Sequence, residues 1–451
     1  TPSGSLTSTR PRIRALKRRS RATRGQATSP SRCHHDRPRD DRGKLGSPGR
    51  ETQDTSAVAG ARTRPSHEPR PAVLFNTETV RWPLTGIGRY ALELGRALKE
   101  ADADGVHLYP VDPSAAATGP AVRRWPNVRA VARQIPFVHN FVHAERARRF
   151  RRASTVRACG LYHEPNYLLR PFDGYRVVTV HDLSHIRHPD YHARRSRRFL
   201  EQRLSHSLAL AHRVIVPTAF VRDELADLFG LPATRVRVVH EGVSPTFGPV
   251  DPARLSGVLA PLGLAPDGYV LTVGTREPRK NLANLVAAYG RLLEPVRHRY
   301  PLVVVGAAGW RHGKVDRELG RLERAGDVVL PGYVDEGTLA GLYAGAAVFA
   351  YMSWYEGFGL PPLEAMASGA PVVTSTAAAL TEVAGDAARR APAGDVPEIT
   401  EVLCAVLEDP RERARLREVG RVRASAFSWS DAARQTLAVY GELLGGEPGS
   451  R

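Results

Sequence analysis

Short, mostly apolar runs rich in Val and Leu recur along the chain, and most are followed by a stretch with helical period. In the first half they fall at residues 72–76, 106–111, 160–163, 176–180, 214–216 and 236–240; in the second, at 269–273, 302–305, 328–330, 346–352 and 372–375. Helices are predicted over 85–99, 194–211, 218–229, 282–293, 315–324, 338–344, 360–368, 400–407, 411–424 and 431–444. Fully apolar strands separated by helices are the signature of a parallel sheet covered on both faces. A chain of 451 residues is long for one core, so the alternation predicts an α/β fold of two doubly wound, Rossmann-like domains facing across a cleft. The boundary is placed in Ser244-Pro245-Thr246-Phe247-Gly248-Pro249-Val250-Asp251-Pro252, which holds three prolines and no periodicity.

Composition narrows the function classes. The net charge of +19 suggests a nucleic-acid binder until it is divided by region. Residues 1–70 carry 17 Lys and Arg against 6 Asp and Glu, a surplus of 11 that leaves only +8 for the rest. That segment has almost no large apolar residue after Leu45 and no aromatics between its arginines, so it is read as a disordered extension with no specific nucleic-acid partner. Residues 121–153 are also basic; they are read as a solvated helix face, with an anionic membrane or acceptor surface as the alternative. Cys33, Cys159 and Cys404 are scattered and form no disulfide framework or metal spacing, and residues 1–70 lack the apolar core of a secretory signal, so a cytoplasmic location is expected. Residues 337–355 are uncharged and long enough to span a bilayer, but three glycines divide them into a helical and a β half, which reads as buried helix plus strand.

Chemistry-bearing residues gather where predicted strands end, the place where open parallel sheets bind ligands. After the strand at 346–352 comes Trp354-Tyr355-Glu356-Gly357-Phe358-Gly359-Leu360-Pro361-Pro362-Leu363-Glu364, with two carboxylates flanking a glycine turn at a helix start. Its amides suit an anion, and the carboxylates of Glu356 and Glu364 suit the hydroxyls of a polyol. After the strand at 269–273 comes Gly274-Thr275-Arg276-Glu277-Pro278-Arg279-Lys280-Asn281, whose Arg276, Arg279 and Lys280 suit a phosphate. His181 follows the strand at 176–180, and Gly86 and Gly88 open the first helix. A nicotinamide dehydrogenase is disfavoured, because the glycines after 302–305 lack G-x-G-x-x-G spacing and no acidic residue ends the next strand. There is no G-x-S-x-G elbow and no H-E-x-x-H, and Pro189 breaks up the histidines at 181, 185, 188 and 192, so no metal site is expected.

Taken together, these motifs resemble those of the retaining glycosyltransferases of family 4, which have the GT-B fold. The resemblance spans roughly residues 72–445 and is carried by residues 273–281, by Pro331-Gly332-Tyr333-Val334, by Glu356-Gly357-Phe358-Gly359 through Glu364-Ala365-Met366-Ala367-Ser368-Gly369, and by Pro371-Val372-Val373. Through Thr85-Gly86-Ile87-Gly88-Arg89-Tyr90 and His181-Asp182-Leu183 it is nearest to bacterial mannosyltransferases that use GDP-mannose. It implies an N-terminal acceptor domain over 71–245, a nucleotide-sugar domain over 246–430, and a helix within 431–451 that returns to the first domain before a tail. It implies that Glu364 binds the ribose, that Glu356 and His181 lie at the transferred sugar, and that Lys280, Arg279 and Arg276 hold the diphosphate with the amides of Gly357, Phe358, Gly359 and Leu360. Tyr333 and Val334 would lie near the base, and Gly86 and Gly88 near the donor phosphate or acceptor. Many family members carry Gly-Arg where Gly274-Thr275 stands here, which shifts weight to Lys280.

The expected activity is transfer of a hexose, mannose from GDP-mannose first, to a glycan, lipid-linked or small-molecule acceptor, without metal or cofactor and with a peripheral contact to the inner membrane face as an added expectation. The alternatives are a UDP-, ADP- or dTDP-sugar donor in natural-product biosynthesis, or a sugar-nucleotide epimerase. A phosphorylase on this fold would need a pyridoxal lysine, for which residues 271 onward offer only Lys280 and Lys314.

Overall fold

A computed structural model describes residues 72–81, 84–110, 148, 150–152, 159–192, 194–307 and 313–445. The extension at 1–70, most of the basic run at 121–153, and Ala308 and Gly309 lie outside them. Among the described residues there are two six-stranded sheets, and every strand pair is parallel. The first contains β1 (Ala72–Asn76), β2 (Val106–Tyr109), β3 (Cys159–Glu164), β4 (Tyr175–Thr179), β5 (Arg213–Val216) and β6 (Val236–Val238), in the order β2-β1-β3-β4-β5-β6. The second contains β7 (Val270–Val273), β8 (Leu302–Val305), β9 (Val328–Gly332), β10 (Val348–Tyr351), β11 (Val372–Ser375) and β12 (Ala388–Ala391), in the order β12-β11-β10-β7-β8-β9.

Strand order reverses once in each sheet, between β1 and β3 and between β7 and β10. Helices leave the sheet on opposite sides at such a point and open a crevice at the carboxyl ends of the two strands. The strands themselves are buried on both faces: Leu74, Phe75, Val177, Val178, Leu302, Val303, Val348 and Phe349 are essentially inaccessible.

Four helices position the site. Helix α1 (Gly86–Ala101) is capped by Thr85, whose hydroxyl accepts the Gly88 N–H, and α2 (Ala219–Phe229) by Thr218, with left-handed Gly230 ending it. Helix α3 (Leu360–Ala367) starts from Gly359 at φ +117°. Helix α4 (Trp429–Leu444) belongs to the end of the chain but packs on α1. Its Tyr440 hydroxyl lies 2.6 Å from His163 Nδ1 on β3, and its Glu442 pairs with Arg213 and Arg237.

The structure corrects several sequence boundaries. The predicted helix over 282–293 ends at Tyr289, and a short helix, Glu294–Arg299, follows its break. A helix, Pro252–Leu259, begins within the proline-rich segment, because Asp251 caps it and Pro252 suits a first helical position. Strand β12 and the helix Ala378–Ala384 have no counterpart in the sequence reading.

Candidate active site

The crevice between β7 and β10 receives both chemistry-bearing loops of the second lobe. The loop after β7 runs through Gly274, at φ +150°, to Asn281, whose left-handed backbone and amide bonds to Met352 O and Ala393 O turn it into the next helix. This brings Arg279 and Lys280 beside the end of β10. There Glu356 Oε2 accepts Arg279 Nη1 at 2.6 Å and Oε1 accepts Lys280 Nζ at 2.7 Å. Ser353 and Tyr351 hydroxyls also donate to Oε1, at 2.6 and 3.0 Å. Burial alone would raise the carboxyl's pKa, but Arg279, Lys280 and these hydrogen bonds outweigh it and hold it down at about 2. The same burial, aided by repulsion from Arg279, lowers Lys280 against the pull of Glu356.

Glu356 is thus the anchor that aims two cations into the crevice. The first-turn amides of α3 have no partners within the helix, and Pro361 and Pro362 carry none, so the Leu360 N–H and the amides of Gly357, Phe358 and Gly359 are the donors at this end. The Phe358 side chain itself points away, packing against Phe427 and His240.

Residues from the first lobe complete the site. His181, 8% exposed, has Nε2 2.8 Å from Pro165 O and Nδ1 3.2 Å from Glu241 Oε1, with its ring edge-on to Tyr90. Both nitrogens face oxygen acceptors, which fixes the ring's orientation. Its carbonyl oxygen lies so close to Gly357 that a Cβ there would sit 1.7 Å away. Glycine is therefore required at Gly357 by the close approach of two segments of the chain.

Several further contacts cross from lobe to lobe. Thr218 Oγ1 donates to Gly357 O at 2.8 Å, Leu183 N–H donates to the Tyr355 hydroxyl at 2.9 Å, and that hydroxyl donates to Glu224. Glu382 accepts the Ala219 and Phe220 amides that open α2.

Glu364, on α3, is buried and bonded to Arg89 Nη1 of α1 at 2.9 Å and to the Tyr343 hydroxyl at 3.2 Å. Burial raises its pKa, opposed by Arg89. The sequence assigns no role to Arg89, Glu224 or Glu382, since nothing local marks a residue whose partner lies across a cleft.

Other candidates sit apart from this cluster. Arg276 pairs with Asp316 at 3.0 Å, and the Tyr333 side chain is half exposed near the start of α1. Gly88 N–H is taken by the Thr85 cap and a Cβ at Gly88 would press on Thr79 O, whereas Gly86 borders open space. Among the described residues no group of three or more His, Cys, Asp and Glu is arranged to hold a metal, and no helix is long and apolar enough to cross a membrane.

Two parallel-sheet lobes, each with a switch-point crevice and closing on cations, helix amides and carboxylates, define a GT-B glycosyltransferase. Residues 84–247 match the model of Glycosyltransferase Family 4 and residues 263–423 that of Glycosyl transferases group 1. The chain belongs to glycosyltransferase family 4. It is 35% identical over 376 residues to the O-antigen chain mannosyltransferase B of Escherichia coli, covering 82% of this chain and 99% of that protein. Over 173 residues, 37% of this chain and 41% of the relative, it is 42% identical to the MMP alpha-(1->4)-mannosyltransferase of Mycolicibacterium hassiacum. Among solved structures, a sucrose-phosphate synthase from Thermosynechococcus elongatus aligns with TM-score 0.64 at 23% identity, over 83% of this chain and all of the other. Anabaena HepE in complex with UDP-glucose aligns with TM-score 0.60 at 17% identity, over 82% of this chain and all of the other.

Proposed function

We propose that this glycosyltransferase moves mannose from GDP-mannose to a glycan acceptor with retention of the anomeric configuration. The observation that carries this reading is the 35% identity to a mannosyltransferase of O-antigen chains, sustained over 99% of that relative's length. The geometry is consistent with the chemistry. Breaking a sugar–phosphate bond releases a nucleoside diphosphate, so the dominant requirement is preorganised positive charge where the leaving group forms. On this reading Lys280, Arg279 and the amides of residues 357–360 supply it, and Glu364 takes the ribose hydroxyls. Glu356 already accepts four hydrogen bonds, from Arg279, Lys280, Ser353 and Tyr351, which suits holding the cations better than attacking a sugar carbon. Retention then follows from attack on the face the diphosphate leaves. The nucleotide sugar is a substrate, and the residues named provide the electrostatics without help from a cofactor.

The test is nucleotide release from GDP-, UDP-, ADP- and dTDP-sugars by the purified chain, with the linkage of the product assigned by NMR. GDP-mannose should be used at least tenfold better than the others and should give an α-linked product. Preference for another donor would sink the donor reading, and a β-linked product the retention.

A further inference from the structure

The loop at 356–360 is held from both lobes. Glu356 at one end is fixed by four hydrogen bonds from its own lobe, and Leu360 at the other begins α3. The peptide joining Gly357 to Phe358 is the least restrained part between them, since Gly357 has no Cβ to limit the rotation that tilts it. Packing of the Phe358 ring on Phe427 and His240 holds the residue but does not decide which way that peptide's carbonyl and N–H point.

The direction is set from the other lobe. Thr218, fully buried at the start of α2, donates its hydroxyl proton to Gly357 O at 2.8 Å. A trans peptide is planar, with its C=O and N–H pointing opposite ways, so the Phe358 N–H is turned away from α2. Capping alone does not call for this bond. A cap needs only an acceptor, and the same hydroxyl accepts the Val221 N–H at 3.3 Å. Asp251 caps its helix with a carboxylate, an acceptor only. At Thr218 one oxygen closes α2 while its single proton goes to a carbonyl of the opposite lobe. Without it, the buried Gly357 O would lose that partner.

The second lobe in turn fixes Thr218. Glu382, on the helix Ala378–Ala384, accepts the Ala219 and Phe220 amides at 2.8 and 3.1 Å, which clamps the start of α2. The same helix lies against the loop: a Cβ at Gly359 would sit 2.5 Å from Leu380 Cδ2. Thr218 is thus held in register with the glycine loop by an element that touches both.

We propose that Thr218 is a positioning residue for the transfer and acts through the Gly357–Phe358 peptide: its hydroxyl, reaching across the cleft, turns the Phe358 N–H onto the leaving diphosphate. The phosphate site is then complete only when α2 is docked on the loop. The proposal rests on the donor reading above, in which the amides of residues 357–360 hold the diphosphate, and adds to it a residue of the opposite lobe.

The test is the preference for GDP over GMP, measured by calorimetry on the full chain, together with kcat for GDP-mannose, in wild type, Thr218→Val and Thr218→Ser. Valine keeps the shape and removes the proton, whereas serine keeps the proton. Thr218→Val should lower the preference for GDP and kcat by about tenfold each, less than the loss of a whole donor at a developing charge, with GMP affinity unchanged. Thr218→Ser should restore both. A residue that only caps α2 would lower the melting temperature and leave the ratio of the two affinities as it is; that result would overturn the proposal, as would a serine variant as impaired as the valine one. If wild type binds GDP no tighter than GMP, the donor reading fails and this proposal with it. If wild type prefers GDP and Thr218→Val keeps that preference, the donor reading stands and this proposal alone falls. A measurement on wild type keeps the question decidable should Thr218→Val fold poorly. With 15N-labelled phenylalanine, the Phe358 amide, assigned by Phe358→Leu, should shift downfield with GDP and not with GMP; an unmoved resonance would overturn the proposal equally.

Discussion

Lys280 and the buried Glu356 form a partly buried pair in which neither charge can be removed cheaply. Lys280→Ala should lower kcat at least about 10²-fold, the scale of losing one preorganised donor at a developing charge. Glu364→Ala should instead raise the donor KM with a smaller effect on kcat, because the ribose contact proposed for it would be made equally in ground and transition states. Steady-state nucleotide release separates the two patterns.

Two carboxyls should leave opposite marks on stability against pH. Glu356, depressed to about 2, contributes stability above about pH 4.5 that is lost as the pH falls toward 2. Glu164 is raised to about 7 by burial, against the hydrogen bonds from Tyr162 and Asn76 and the charge of Arg170, with Glu78 adding to the rise. Its sign is reversed: its contribution is fully present below about pH 4.5 and is lost as the pH rises through 7. Urea unfolding at pH 5 and pH 7.5 should therefore show wild type losing stability relative to Glu164→Gln at the higher pH. Equal changes in the two proteins would rule this out.

At the scale of elements, the strands of both sheets were legible because burial on two faces demands unbroken β-branched runs. Strand β12 escaped for the converse reason. It reads Ala388-Arg389-Arg390-Ala391, lies at a sheet edge, and leaves its two arginines partly in water. The short helix Ala378–Ala384 is alanine-rich and has too little contrast between its faces to show a period. Glu356, Lys280 and Arg279 could be picked out by their place after strands, whereas the Arg89–Glu364 bond joins residues 275 apart and exists only once both lobes are built. Helix α4 is bound to the first sheet by one directional contact deep in the core, Tyr440 to His163, where burial keeps the imidazole neutral with a pKa lowered to about 3. Tyr440→Phe should cost about 1–2 kcal/mol, measured by chemical denaturation, because it leaves a buried ring nitrogen without its partner.

On the scale of the whole molecule, the lobes are clasped by contacts made by residues of the candidate site. Arg89 spans from α1 to Glu364 and Glu336, so the carboxylate assigned to the ribose also closes the cleft. Arg89→Ala should loosen the ligand-free protein, seen as a larger radius of gyration by solution X-ray scattering that GDP reduces; an unchanged radius would show the clasp to be incidental. Gly357→Ala tests one close approach between the lobes. A methyl group cannot share space with the His181 carbonyl, so the variant should keep its fold by circular dichroism yet lose at least tenfold in kcat/KM. A fully active variant would mean that this approach is dispensable.

Because α4 lies against α1 although it comes at residues 429–444, the first lobe is stitched together from both ends of the described chain. During synthesis, which delivers residues in order, the lobe begun first is the one finished last. The second lobe has all its strands by residue 391 and can settle as a unit, while the first waits with the α1 face uncovered until the last helix leaves the ribosome. A chain cut short just before α4 should therefore hold a protease-resistant second lobe beside an unfinished partner.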